Sequence, residues 1–210
     1  LPGLGEYALY KDTSDKRYKK IAISLFAVEA IAWISKIGFK NKYENQKQKY
    51  KNYADMNWDF ADWIEHYNDF NNTPYEEVWW DSEDNYTHIG ESSHYVQFYM
   101  GENTVRTTDE DFLNEYYHQF LEAIENGDNI YEAYEIDIIK DQHFYENIGK
   151  YNEFFSGWED ADTASIMLET TDQNYQIALS PIKNNYINSY NKAEEYSDIA
   201  EFSLTCIYFN

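Results

Sequence analysis

The sequence predicts a mainly α-helical fold with one apolar, membrane-proximal helix near the N-terminus, a long C-terminal helix and an irregular middle region. Two features of the composition and one of the pattern indicate this. The 210 residues include only 8 Gly and 3 Pro, too few for the dense turns of an all-β fold. Hydrophobic residues make up 43% of the chain, which is enough for a core. They recur at helical spacing over several long stretches.

The charge distribution divides the chain near residue 52. The net charge is −23, yet residues 1–52 hold 11 of the 16 Lys and Arg and only 5 of the 39 Asp and Glu. This asymmetry predicts a basic membrane-proximal segment over 1–52 and an acidic, aromatic-rich helical domain over 53–210. The acidic domain repels polyanions, so no nucleic-acid partner is expected. A solvated acidic surface, as in a salt-adapted organism, is the alternative explanation for the second part.

The most hydrophobic stretch, residues 21–39, is expected to meet a membrane. Its length is close to the roughly 20 residues that cross a bilayer as a helix, and lysines flank it on both sides. Glu29 and Lys36 interrupt it, and a charge at the bilayer centre costs about 2.5–3.5 kcal/mol on insertion scales. Three placements are therefore open: a span with Glu29 facing a partner helix, a helix lying in the interface, or a buried helix in a soluble core. The predicted anchoring side chains are Ile21, Leu25, Phe26, Val28, Ile31, Trp33, Ile34 and Phe39.

Helical periodicity continues beyond this stretch and then fades. Between residues 41 and 63, large side chains at helical spacing predict a core-facing stripe that consists of Tyr43, Tyr50, Tyr53, Met56, Phe60 and Trp63. Residues 67–107 are rich in turn-forming residues and are expected to be irregular. Within them, residues 95–100 form either one short strand or a helical turn.

The second half of the chain returns to helical patterns. Helices are predicted over about 108–124, 129–140 and 141–155, because apolar side chains recur there at spacings of three and four. The last segment, about 172–208, has the same pattern. Pro181 either begins a fresh helix inside this segment or kinks a longer one.

Four short motifs occur in an order that resembles one protein family. They are Pro2–Tyr7 (PGLGEY), Glu29–Trp33 (EAIAW), Tyr53–Trp58 (YADMNW) and Tyr145–Trp158 (YENIGKYNEFFSGW). In this order they resemble a family of bacterial cell-envelope proteins to which no activity is assigned. The resemblance implies an envelope location, associated with the outer membrane, and it implies no catalytic residue.

Side chains that bind metals are present, but they are not arranged as a recognisable site. The 5 His never occur in a His-Glu-x-x-His arrangement. His88 and His94 are close in sequence, with Glu91 between them. Acidic clusters around Asp81 and Asp160 offer oxygen ligands for calcium but match no EF-hand loop. No metal site and no cofactor is therefore predicted.

The sequence also predicts no enzyme. It contains neither a Gly-x-Ser-x-Gly motif nor a phosphate-binding glycine loop, and Cys206 is expected to pack as a small hydrophobic side chain. Trp79, Trp80 and Trp158 stand beside acidic residues, a combination found in sugar-binding clefts. These three tryptophans are a candidate glycan or partner contact. A soluble periplasmic carbohydrate-binding module is therefore the alternative function.

Together these patterns predict a non-enzymatic envelope scaffold or accessory subunit. The N-terminal helix docks at a membrane on the periplasmic side, and the acidic domain packs against other envelope proteins. Glu29 is expected to make a specific polar contact with a partner helix or with the chain's own second helix. The prediction requires that residues 21–39 are not enclosed by the chain's own side chains.

Overall fold

A computed structural model describes residues 3–67, 94–162, 167–170 and 176–209. In these ranges the chain is mainly α-helical, with a long apolar helix near the N-terminus and a long helix at the C-terminal end, which confirms the predicted fold class. The chain divides into two compact units. The first unit consists of Leu1–Tyr50 and Ser189–Asn210, and the second of Lys51–Asn188. The division differs from the one predicted, because the end of the C-terminal helix belongs to the first unit.

The long N-terminal helix is continuous through the predicted apolar stretch and most of the aromatic stripe. The elements in chain order are α1 (Leu4–Thr13), α2 (Lys16–Asn57), α3 (Phe60–His66), β1 (Gln97–Met100), β2 (Asn103–Arg106), a π-helical turn (Phe112–Tyr116), α4 (Tyr117–Glu125), α5 (Ile130–Ala133), β3 (Ile136–Ile138), α6 (Gln142–Lys150), a 3₁₀ turn (Asn152–Gly157), β4 (Met167–Thr170), β5 (Gln176–Leu179) and α7 (Pro181–Phe209). No proline interrupts α2. The pattern predicted over 41–63 forms two helices, because the Asp59 carboxylate accepts a hydrogen bond from Ala61 N–H at 2.7 Å and so begins α3.

A glycine at the start of α1 allows this helix to approach α2 closely. Gly3 has a φ of +82°, and a Cβ at this position would lie 2.9 Å from the carbonyl oxygen of Ala22. Only glycine combines this backbone conformation with this approach. Ala22 is consequently 1% exposed, although it lies in the middle of the apolar run.

An antiparallel sheet in the second unit has the strand order β2-β1-β3. Phe98 on the central strand is paired with Val105 on one side and with Ile138 on the other. The helix predicted over 129–140 is wrong beyond its first turn, because the chain leaves α5 and enters β3. Glu135 has a φ of +52°, a conformation that ends a helix.

Three other sequence predictions are decided by the strands and turns. Of residues 95–100, the last four form β1, so the chain is a strand there and not a helical turn. Pro181 begins α7 as a fresh helix, because β5 occupies the residues just before it. The helix predicted over 141–155 divides into α6 and the 3₁₀ turn that follows it.

An aromatic core stabilises the second unit. Side chains that are at most 1% exposed include Phe60, Trp63, Phe98, Phe112, Phe120 and Phe154. Neighbouring rings in this set lie 5.3 to 6.5 Å apart between centroids, the usual range for packed aromatic pairs. Phe112 and Phe120 come from the helix predicted over 108–124, which forms as the π-helical turn and α4.

Three buried indole rings fix the segment between α6 and the end of the 3₁₀ turn. Their N–H groups donate to backbone carbonyl oxygens: Trp58 to Phe154 at 2.9 Å, Trp63 to Glu153 at 2.6 Å and Trp158 to Ile148 at 3.0 Å. A buried indole N–H without an acceptor destabilises a fold, so each bond satisfies a group that burial would otherwise leave unpaired. The backbone of this segment is thus held by Trp58 and Trp63 from a distant part of the sequence and by Trp158, which directly follows the 3₁₀ turn.

Candidate membrane-docking surface

In the first unit the end of α7 packs against α2 in the opposite direction. Along the pair, Gln46 Nε2 donates to Ser189 Oγ at 2.7 Å, the Tyr50 and Tyr190 rings lie 5.1 Å apart, and the Phe39 and Tyr196 rings lie 6.0 Å apart. From the Tyr50–Tyr190 contact to the Phe39–Tyr196 contact the position falls by eleven on α2 while it rises by six on α7, which defines an antiparallel pair. The contacting residues of α2 recur at intervals of seven and four, so they share one face of the helix.

The N-terminal half of α2 carries several exposed apolar side chains. The exposed fractions are 57% for Ile23, 47% for Val28, 64% for Ile31, 71% for Ile34 and 57% for Ile37. An 18-residue window of this helix has a mean hydropathy of 1.7 and is 11% buried, so α2 is long and apolar enough to cross a membrane. Single exposed apolar side chains are common, but a patch of several marks a binding or membrane-contacting surface. We call these five residues the apolar face.

The structure places most of the predicted anchoring residues at the surface. Exposed ones are Ile21, Val28, Ile31, Trp33 and Ile34. Half-buried ones are Leu25, Phe26 and Phe39. A core-helix placement requires that the chain's own side chains enclose residues 21–39. The described part of the chain does not enclose them.

Sequence reasoning missed several exposed apolar residues of the first unit. On α2 these are Ile23 and Ile37, which belong to the same hydropathy run and were open to prediction from it. On α7 they are Ile199, Phe202 and Tyr208, at 40%, 69% and 78% exposure. The orientation of the α7 residues depends on which face of α7 meets α2, and the pattern of α7 alone does not decide this.

Lysine amines lie against aromatic rings near both ends of the apolar stretch. Lys36 Nζ is 5.2 Å from the centroid of the Trp33 ring, and Lys42 Nζ is 4.7 Å from that of Phe39. Near the other end, Lys19 Nζ is 5.6 Å from the Tyr10 ring. Cations attract aromatic faces, and long lysine stems can follow apolar surface while the amine stays in water. This arrangement suits the polar boundary of a bilayer.

Glu29 lies on the face of α2 that also carries Ala22, Leu25 and Ala32. It is half-buried, and within the described ranges of the chain its carboxylate has no hydrogen bond or ion pair. Ala22 and Ala32 on the same face are 1% and 7% exposed. A carboxylate in this position has acceptor capacity that a second helix or water can use.

Of the candidate glycan contact, only Trp158 lies among the described residues. Trp158 is 1% exposed and packs 5.0 Å from the Tyr186 ring, so it offers no face to a sugar, and this part of the prediction is wrong. Composition alone did not distinguish a buried tryptophan from an exposed one. Trp79 and Trp80 lie outside the described residues.

The candidate metal ligands are only partly described. His88, Glu91 and Asp81 lie outside the described residues. His94 stacks on Tyr151 at 3.4 Å between ring centroids, and burial lowers the pKa of its imidazole. Asp160 caps α7 instead, since its Oδ2 accepts from Ile182 N–H at 2.9 Å. Within the described ranges, no three His, Cys, Asp or Glu side chains are grouped to hold a metal ion.

The chain was compared with protein-family models, with curated proteins and with solved structures, and it matches none of them. The resemblance to an envelope family therefore stays a prediction.

Proposed function

We propose that this protein is a non-enzymatic scaffold or accessory subunit of a bacterial cell envelope, docked at a membrane on the periplasmic side. The observation that carries the proposal is the outward orientation of the apolar face of α2. Burying one isoleucine side chain completely stabilises the buried state by about 1.5–3 kcal/mol. Four isoleucines and one valine exposed within one helical segment favour transfer of the apolar face from water into the hydrocarbon of a bilayer.

The distribution of charge supports the same placement. Residues 1–52 carry 11 basic side chains against 5 acidic ones, and basic residues beside an apolar helix are attracted to anionic lipid surfaces. The second unit is strongly acidic, which favours contact with proteins over contact with anionic lipid. We therefore assign membrane docking, with the Glu29 contact to a partner helix, to the first unit, and packing against other envelope proteins to the second.

Two aspartates in the apolar face are expected to abolish docking. In the double variant Ile31→Asp with Ile34→Asp, each carboxylate adds an insertion cost of about 2.5–3.5 kcal/mol near the bilayer centre. Flotation of the full chain with phospholipid vesicles should show partitioning at least about a hundredfold weaker. Both positions are more than half exposed, so the fold should persist, as circular dichroism would verify.

Met56 provides the matched control for this experiment. It is 74% exposed on the same helix but lies outside residues 21–39. Met56→Asp should float like the unmodified chain. Undiminished flotation of the double variant would show that another surface holds the membrane and would overturn the proposal.

A second experiment concerns the role of Glu29, which we propose to be a polar contact with a partner helix. Glu29→Leu removes a charge from the apolar segment, so vesicle binding should be equal or stronger. The variant should nevertheless lose the partner protein during purification from mild detergent, because the carboxylate acceptor is gone. Glu29→Gln keeps a side-chain acceptor and should retain part of the complex. Unchanged extraction and unchanged complex in Glu29→Leu would contradict this role.

A further inference from the structure

A small groove lies between α2 and α7 in the first unit, where the apolar face ends. Its volume is about 200 Å³, and its lining consists of Lys36, Lys40, Tyr43 and Glu44 from α2 with Ser197, Ala200, Glu201 and Leu204 from α7. This volume is below the roughly 300–1,000 Å³ of pockets that enclose whole ligands. The groove therefore suits one end of a larger molecule rather than a complete small molecule.

Two lysines and two glutamates contribute to the lining of the groove. Within the described part of the chain, no ion pair within 4.0 Å joins Lys36, Lys40, Glu44 or Glu201 to any partner. Lys36 and Lys40 are one helical turn apart, and like charges at this spacing repel each other. An anion between the two amines would remove this repulsion, and a cation near the two carboxylates would do the same there.

We propose that this groove binds the headgroup of a phospholipid that carries a primary ammonium, as phosphatidylethanolamine does. The lipid phosphate lies against Lys36 and Lys40, and the ammonium lies against Glu44 and Glu201. Both contacts are charge-assisted hydrogen bonds, the stronger class of such bonds in proteins. The inference rests on the proposed function, because it takes the groove to lie at the membrane boundary.

The position of the groove favours a lipid over a soluble zwitterion. Ile37 lies one helical turn before Lys40 on α2 and is 57% exposed, and Ile34, one turn before Ile37, is 71% exposed, so acyl chains can follow these two residues while the headgroup enters the groove. Basic pockets between helices at the membrane surface are known to bind lipid headgroups. A quaternary ammonium lacks N–H donors for the carboxylates, and an anionic headgroup without a cation meets their repulsion.

The test uses the full chain in detergent, with lipid retention measured by native mass spectrometry. Phosphatidylethanolamine, phosphatidylcholine and phosphatidylglycerol with identical acyl chains are added separately. Phosphatidylethanolamine should be retained about tenfold more strongly than either of the others, as expected for one charge-assisted contact.

Two charge-removing variants assign the headgroup contacts. Lys36→Gln with Lys40→Gln should weaken retention of both phosphatidylethanolamine and phosphatidylglycerol about tenfold. Glu44→Gln with Glu201→Gln should weaken phosphatidylethanolamine alone and strengthen phosphatidylglycerol. Lys49→Gln with Glu195→Gln, exposed residues of the same helices outside the groove, should change neither.

Several results would overturn the inference. These are equal retention of the three lipids, unchanged phosphatidylethanolamine retention in the carboxylate variant, and competition by glycerophosphoethanolamine as strong as by the lipid. Flotation with phosphatidylcholine vesicles tests membrane docking separately. If the chain floats but retains the three lipids equally, membrane docking stands and the groove assignment is wrong. If the chain prefers phosphatidylethanolamine in detergent but does not float, the headgroup preference stands and membrane docking is wrong.

Discussion

Replacing Gly157 with alanine is expected to destabilise the second unit by about 3 kcal/mol, the upper range for overfilling a packed core. A Cβ at Gly157 would lie 2.5 Å from the Trp58 indole ring and 2.9 Å from the carbonyl oxygen of Asp59. Neither neighbour can move freely. The Trp58 indole is 6% exposed and donates to Phe154 O, and Asp59 N–H donates to the carbonyl of Gly157 itself at 2.9 Å.

Thermal unfolding followed by circular dichroism measures this effect, and two other glycines calibrate it. A Cβ at Gly149 would lie 2.6 Å from the Tyr186 ring, whose hydroxyl donates to Tyr145 O, so Gly149→Ala should also be destabilising. Gly38 has nothing within 4 Å of a Cβ. Gly38→Ala should therefore stabilise its helix by about 0.5–1 kcal/mol. An unfolding temperature of Gly157→Ala equal to that of the unmodified chain would disprove the packing argument.

The contact between Gly157 and Trp58 shows why part of this fold was beyond sequence reasoning. Trp58 belongs to the motif Tyr53–Trp58 and Gly157 to the motif Tyr145–Trp158, and the two motifs are far apart in the sequence. The structure brings them together through a bridge between Trp58 and Trp158. Helical spacing relates residues that are three or four apart. It carries no information on which distant segments share a core.

The apolar helix, by contrast, follows from local sequence. A run of about 20 apolar residues is long enough for a membrane-crossing helix, so the helix over residues 21–39 was predictable from length and hydropathy. The predicted helix over 129–140 failed because pairing with β1 outweighed its helical pattern. Ile136 pairs with Met100 and Ile138 with Phe98, and β-branched side chains suit such a ladder.

The lining of the candidate groove was not predictable from the sequence, because it depends on how two helices pair. Each lining residue appears in the sequence only as an ordinary charged, polar or apolar residue of a helix. Lys40 and Glu201 become neighbours of one groove only because the end of α7 returns along α2. The antiparallel pairing of these two helices carries the information that was missing from the sequence.

Lys183 is another feature that only the structure shows. Its side chain is 0% exposed, and its Nζ has no hydrogen-bond partner among the described residues. The Nζ lies over the Phe155 ring, 5.5 Å from its centroid. Removing a cation from water without an acceptor or counter-ion is unfavourable, so burial lowers the pKa of Lys183 from 10.5 to about 7.

This lowered pKa makes the stability of the fold depend on pH in a defined direction. Between pH 7 and pH 10.5 the Lys183 amine is protonated in the unfolded chain but mainly neutral in the folded one. Unfolding then takes up a proton, so the contribution of Lys183 to stability rises with pH by up to about 1.4 kcal/mol per unit. Below pH 7 the amine is protonated in both states, and the full cost of the buried charge is present.

Lys183→Met is therefore expected to stabilise the protein at pH 7 by on the order of 4 kcal/mol. Methionine keeps the unbranched apolar stem and removes the amine, so the cost of burying it disappears. Denaturant unfolding of both chains at several pH values between 7 and 9.5 provides the measurement. The difference in unfolding free energy should shrink steadily as pH rises, because protonation of the Lys183 amine in the unfolded chain becomes less favourable.

Lys192→Met is the control, since Lys192 is exposed on the same helix and the change removes the same formal charge. Its unfolding free energy should follow that of the unmodified chain at every pH. Subtracting variant from wild type cancels the titration of the many tyrosines and carboxylates that the chains share. If the gap between wild type and Lys183→Met stayed constant from pH 7 to 9.5, the amine would be protonated in the fold and would have an acceptor. That acceptor would offset the free-energy cost of burying the charged amine. A constant difference in unfolding free energy would therefore show that the Lys183 amine does not lose its proton on folding.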